Sequence, residues 1–282
     1  MFKNIVVLLD GSEVSANALR PAAATAEYLG CSLRTVTYHS SGTDATELSR
    51  VVESQVAERT DTEPEVLIKE MSRPLPDMLA ELLAKTDDPL VVMSSRGHGR
   101  TASLVGSVAT QILGILEIPV MLIGPECRVE SFRLQGPMIV ATDASPCTKP
   151  ALELAAEVNA SFDYEPVVVN VVDPDSAAAM AKARRGPGGH DLPPESAMVH
   201  RFAQDFGLKI GSGSAPEFRV LHSKHPGKAI AELSAEIAAG LIVMATHART
   251  GMRRLSVGSE TAAAVAHAHC PVLAIAPDTD DS

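Results

Sequence analysis

Two stretches of this chain set glycine, hydroxyl and basic side chains in an order that can hold an anion. The first runs Ser94-Ser95-Arg96-Gly97-His98-Gly99-Arg100-Thr101-Ala102-Ser103-Leu104-Val105-Gly106-Ser107. The second runs Ala245-Thr246-His247-Ala248-Arg249-Thr250-Gly251-Met252-Arg253-Arg254-Leu255-Ser256-Val257-Gly258-Ser259. Each follows an apolar run and ends in a Gly-Ser that opens a helical pattern. Glycine lets backbone approach an anion, and the amides and dipole of a helix start favour phosphate. The chemistry expected is phosphate binding, with the backbone amides of Gly106-Ser107 free to grip the ligand. The same Gly-Ser is also an ordinary helix cap, and glycine between strand and helix is also plain turn geometry. Spacing by itself leaves both open.

The elements that must position these loops come in two sets. Asn4-Ile5-Val6-Val7-Leu8-Leu9-Asp10-Gly11-Ser12 returns as Met138-Ile139-Val140-Ala141-Thr142-Asp143-Ala144-Ser145. Val91-Val92-Met93-Ser94-Ser95 returns as Ile242-Val243-Met244-Ala245-Thr246, and Ile118-Pro119-Val120 returns as Cys270-Pro271-Val272. Matches in the same order mark a duplication. Asp10 and Asp143 are 133 positions apart and Pro119 and Pro271 are 152 apart, so the second copy carries an insertion of 19 residues. The Gly- and Pro-dense stretch near 182–198 fits it, since it sustains neither helix nor strand.

Short apolar runs alternate with longer amphipathic ones. In copy one the pattern predicts strands near 4–9, 33–38, 65–70, 90–94 and 119–123, with helices near 13–29, 44–59, 75–85 and 107–117. Copy two repeats the strands near 138–142, 166–172, 217–221, 241–245 and 272–276. Runs such as Ile5 to Leu9 are continuous rather than alternating, as in strands covered on both faces. Strict strand–helix succession gives right-handed parallel crossovers, hence an α/β chain of two tandem doubly wound five-stranded domains. Residues 1–126 form the first, 127–136 a linker and 137–282 the second. The runs at Pro119–Ile123 and Pro271–Ile275 are apolar sheet edges that would stay exposed unless they pair with each other or with another chain.

Composition narrows the function classes. Hydrophobic residues make up 45% and aromatics 3%, so the cores are aliphatic. A net charge of -11 disfavours general affinity for nucleic acid or an anionic membrane. No segment reaches the roughly 18 apolar residues of a membrane span, and the expected location is the cytoplasm. Cys31, Cys127, Cys147 and Cys270 are scattered, unlike a disulfide framework. His267, His269 and Cys270 look like a metal cluster, but the matching stretch of copy one lacks ligands, so helix-end and core roles are expected. Ser12 sits in no Gly-x-Ser-x-Gly elbow and reads as a cap for the next helix.

Asp10-Gly11-Ser12, the glycine loop and Ile118-Pro119-Val120, repeated at both places, resemble the universal stress protein domain over nearly the whole chain. The resemblance implies an adenine-nucleotide α-hydrolase-like sheet, frequent dimers and, in one subgroup, ATP binding. That subgroup has Gly, two residues, Gly, nine residues, then Gly with Ser or Thr. Copy one has Ser94 at the first glycine, keeps Gly97, then leaves eight residues before Gly106-Ser107. Copy two keeps nine before Gly258-Ser259, but Ala245 and Ala248 replace both earlier glycines, and Glu260 would repel a phosphate. The resemblance therefore assigns ATP, alone or with Mg2+, mainly to copy one, at Asp10, Tyr38, Ser94, Gly97, Gly106 and Ser107. Asp143, Val171, Ala245, Ala248, Gly258 and Ser259 are the weaker counterparts. The implied protein is a non-catalytic stress-response regulator, as a homodimer or an intramolecular pseudo-dimer. The other class is an interaction and dimerisation module whose nucleotide sites have decayed. His-x-Gly-His, Lys-Met-Ser-Lys-Ser and Ser-Gly-Gly-x-Asp-Ser are absent, which disfavours a synthetase or a PP-loop ATP pyrophosphatase.

Overall fold

The computed structural model describes residues 1–97, 105–115, 118–175, 216–246 and 258–277. Copy one runs β1 (Asn4–Leu9), α1 (Glu13–Ala16), α2 (Leu19–Leu29), β2 (Ser32–His39), α3 (Ala45–Arg59), β3 (Glu65–Glu70), α4 (Leu75–Leu83), β4 (Pro89–Ser94), α5 (Ser107–Ile115) and β5 (Val120–Ile123). Copy two runs β6 (Gln135–Ala141), α6 (Lys149–Ser161), β7 (Asp163–Val172), β8 (Glu217–His222), α7 (Pro226–Glu236), β9 (Leu241–Ala245), α8 (Ser259–His267) and β10 (Val272–Ile275). The insertion near 182–198 lies outside the described residues.

The strands lie in one sheet in the order β3-β2-β1-β4-β5-β10-β9-β6-β7-β8. Pairing within each copy is parallel. At the centre β5 and β10 pair antiparallel, Leu122 opposite Val272 and Met121 opposite Leu273. The two apolar edges expected from the sequence thus cover each other within one chain. Tyr28 of α2 packs on Phe162 with ring centroids 5.0 Å apart, which ties the copies a second time, and Arg20 pairs with Glu130 of the linker.

The continuous apolar runs are buried on both sides. Ile5, Val7 and Leu9 pack into one layer with residues of α2, α3 and α6. Val6 and Leu8 pack into the other with α4, α5, α7 and α8. Each such side chain, fully buried, stabilises the fold by about 1.5–3 kcal/mol. One element differs from the sequence pattern. Residues 13–29 predict a single helix, but α1 ends at Ala16 and α2 begins at Leu19. Pro21 is the reason: it has no N–H for the carbonyl of Asn17 and its ring crowds that group.

The strand order reverses direction at β1. From β1 the chain steps outward to β2 and β3, then returns to lay β4 on the other side of β1. A crevice therefore opens beyond the carboxyl ends of β1 and β4. That edge carries the turn after β1, at Asp10, and the described ends of the first glycine loop, residues 94–97 and 105–107.

Candidate functional site

The β1–α1 turn is built around Asp10. Its Oδ1 accepts from the Ser12 N–H at 3.0 Å and from the Ser12 hydroxyl at 2.6 Å. Ser12 Oγ in turn accepts from the Ser15 N–H at 3.0 Å, so Ser12 is the helix cap expected of it. Gly11 makes the turn at φ +80°, where a Cβ would also strike Leu48.

The β4–α5 loop crosses this turn from the other side. A Cβ on Gly97 would lie 2.3 Å from Asp10 Oδ2, so glycine lets the backbone pass over the carboxylate without displacing it. Gly106 donates its N–H to the Ser95 carbonyl at 2.6 Å, and a Cβ there would sit 3.0 Å from the same oxygen. This corrects one expectation. The Gly106 amide is already engaged, and Gly106 serves the site by its lack of a side chain. The amides a ligand could still reach begin at Ser107, in the first turn of α5, which has no earlier helical carbonyls to pair with. Ser94 is buried and donates its hydroxyl to the Val14 carbonyl at 2.5 Å, which fastens β4 to α1.

Between these pieces lies a cavity of about 250 Å³. Leu8, Val36, Leu75 and Met93 give it an apolar floor, and Asp10, Ser95, Arg96, Gly97, Gly106 and Ser107 rim it. Ser95 Oγ and Arg96 Nε are buried there without a hydrogen-bond partner among the described residues. Buried polar atoms rarely stay unsatisfied, so these two are candidate donors for a ligand. Tyr38 reaches the Met78 carbonyl at 3.4 Å. Burial, then the charge of Glu81, pushes its phenol up. A shallower hollow of about 680 Å³ continues on the α3 side and shares Asp10 and Tyr38.

The six copy-one residues expected from the sequence, Asp10, Tyr38, Ser94, Gly97, Gly106 and Ser107, all line this cavity. The sequence reading missed Leu75, Val36, Met93 and Ser95. Leu75 comes from α4, and no local pattern marks it. Arg96 was legible only as loop charge, not as a cavity residue.

The model of the universal stress protein family matches residues 1–124 and again 136–276. This chain belongs to that family. A curated relative, universal stress protein MJ0531 of Methanocaldococcus jannaschii, is 27% identical over 143 residues, covering 49% of this chain and 80% of the relative. A universal stress protein from Archaeoglobus fulgidus shares the fold at TM-score 0.65 and 18% identity, covering 97% of this chain and 98% of that one. PA1789 from Pseudomonas aeruginosa, described as functionally unknown, superposes at TM-score 0.65 and 14% identity, covering 98% and 93%.

The second universal stress domain keeps the frame of the first. Asp143 Oδ1 accepts from the Ser145 N–H at 2.9 Å and from its hydroxyl at 2.6 Å. Gly258 donates to the Thr246 carbonyl at 2.9 Å, as Gly106 does to Ser95. Leu8 pairs with Val36 as Ala141 pairs with Val169, so Tyr38 and Val171 hold equivalent places. Val171 has no hydroxyl to offer. Ala144 stands where copy one has Gly11 and takes φ +58°, a left-handed conformation strained for alanine. Ala245 ends β9 where Ser94 ends β4, without a hydroxyl to bind the next helix. Ala248 lies outside the described residues.

The histidines at the end of α8 have partners of their own. His267 Nδ1 lies 3.1 Å from Glu126 Oε1, and His269 Nε2 lies 3.8 Å from Glu126 Oε2. Cys270 is buried and its thiol is pushed up to about 12, chiefly by burial. They occupy a helix end and a core position.

Among the described residues no helix is long and apolar enough to cross a membrane.

Proposed function

We propose that this universal stress protein is a non-catalytic stress-response regulator that binds an adenine nucleotide, ATP, in the copy-one crevice. One observation carries the reading: the cavity at the switch point is cradled by Gly97 and Gly106, where a Cβ would meet Asp10 and the Ser95 carbonyl. Such a surface admits close contact with a ligand's backbone-facing edge. The residues fit the parts of a nucleotide. Leu8, Val36, Leu75 and Met93 offer apolar area to a base, with the Tyr38 hydroxyl beside them. Asp10 Oδ2 is placed for a sugar hydroxyl. The first-turn amides of α5 and the Arg96 guanidinium are suited to phosphates, with Ser95 Oγ as a further donor. Mg2+ would accompany the phosphates; among the described residues Asp10 is the cavity's single carboxylate.

The second reading is an interaction module with decayed sites. It is favoured by Ser94, whose hydroxyl is spent on Val14, and by the Gly106 amide, spent on Ser95. Melting with and without ATP and magnesium separates the two. A ligand at a hundred times its Kd adds about 2.7 kcal/mol of stability. The expected result is a rise in Tm that Gly106→Trp removes. No shift up to millimolar ATP, with no nucleotide in the purified protein, would leave the interaction module standing.

A further inference from the structure

In copy one Leu75, at the start of α4, and Val108, in the first turn of α5, both line the cavity. In copy two the corresponding starts, of α7 and α8, are joined. Glu260, in the first turn of α8, accepts from the Gly227 N–H through Oε2 at 2.7 Å. A Cβ on Gly227 would lie 2.0 Å from the Glu260 carbonyl oxygen, so the two helix starts touch backbone to backbone. Ser259 donates its hydroxyl to the other carboxylate oxygen at 3.2 Å.

Copy one lacks both halves of this latch. The helices match as Leu79-Ala80-Glu81-Leu82 with Ile230-Ala231-Glu232-Leu233, which puts Pro76 in the place of Gly227. Gly106-Ser107-Val108 against Gly258-Ser259-Glu260 puts Val108 in the place of Glu260. Pro76 has no N–H to donate and Val108 no carboxylate to accept it. The Glu260 carboxylate thus occupies the Gly227 amide at the start of α7, a helix-start donor that would otherwise draw a phosphate.

We infer that copy two is self-liganded: the Glu260 carboxylate takes the place of a nucleotide's phosphates, so each chain holds one nucleotide, in copy one. The inference rests on the nucleotide reading of copy one, and two measurements keep their failures apart. Equilibrium dialysis against radiolabelled ATP counts ligand per chain; amide hydrogen exchange at Gly227 reports the latch without any ligand. The expected count is one for the wild type and none for Gly106→Trp, or for Arg96→Glu should the tryptophan variant fold poorly. The Gly227 amide should be protected in the wild type and exchange at least tenfold faster in Glu260→Val. Glu260→Gln, which keeps the shape and an acceptor but not the charge, should fall between. Two nucleotides per wild-type chain, or one retained by Gly106→Trp, overturns the inference, as does an unprotected Gly227 amide. A count of zero in the wild type removes the copy-one reading instead, and Gly227 exchange then decides alone whether copy two is latched.

Discussion

Ala144 and Gly11 occupy the same turn in the two copies, at φ +58° and +80°. The left-handed region costs a non-glycine residue roughly 1–2 kcal/mol, partly offset by the greater freedom glycine has when unfolded. Ala144→Gly should therefore raise the unfolding free energy by up to about 1 kcal/mol, read from urea denaturation at unchanged m-value. Glu81 tests the electrostatics at the same scale. Hydrogen bonds from Arg73 and Lys85 hold its carboxyl at about 2, down from an ordinary 4.5. A depressed folded value means that its contribution is present above the unfolded pKa and disappears as pH falls through about 2. A carboxyl-carbon NMR titration should place its midpoint near 2, and Arg73→Ala should bring it back toward 4.5.

Among the elements, the strands were the most legible. Continuous apolar runs at Ile5–Leu9 and Leu90–Met93 mark doubly covered strands, because in a parallel sheet both faces meet helices. Helix 13–29 was misread because the apolar period continues through Pro21, while the missing N–H at that residue breaks the backbone ladder. The phosphate loop was legible as glycine spacing, yet the engagement of the Gly106 amide by Ser95 was not. A hydrogen bond across a loop depends on where β5 anchors Ser95, whose own N–H donates to Ile123 at 2.9 Å. The seam strands carry the prediction at this scale. Leu273, 1% exposed and opposite Met121, sits where the copies meet. Leu273→Ala should cost about 2–5 kcal/mol, and calorimetry should show a lower Tm.

For the molecule as a whole, the pairing of β5 with β10 closes two uncharged edges against each other inside a single chain. The outer edges are left to β3, with Glu65, Lys69 and Glu70, and to β8, with Glu217, Arg219 and His222. Charged edges resist further strand addition. Light scattering after size exclusion should give a mass near 29.6 kDa, a single chain; twice that mass would show a second interface elsewhere on the surface.

The sequence by itself determined the duplication, the α/β class and the residues that could touch an anion. Those follow from local spacing, which survives in one dimension as apolar period, glycine position and repeat offset. Only the tertiary structure decided which of them share a cavity. Leu75 shares a cavity with Gly97 and Gly106 because α4 and α5 both border it, and Glu260 reaches Gly227 because the starts of α7 and α8 touch. Contacts between helix starts depend on how closely two backbones approach, and no spacing along a chain encodes that distance.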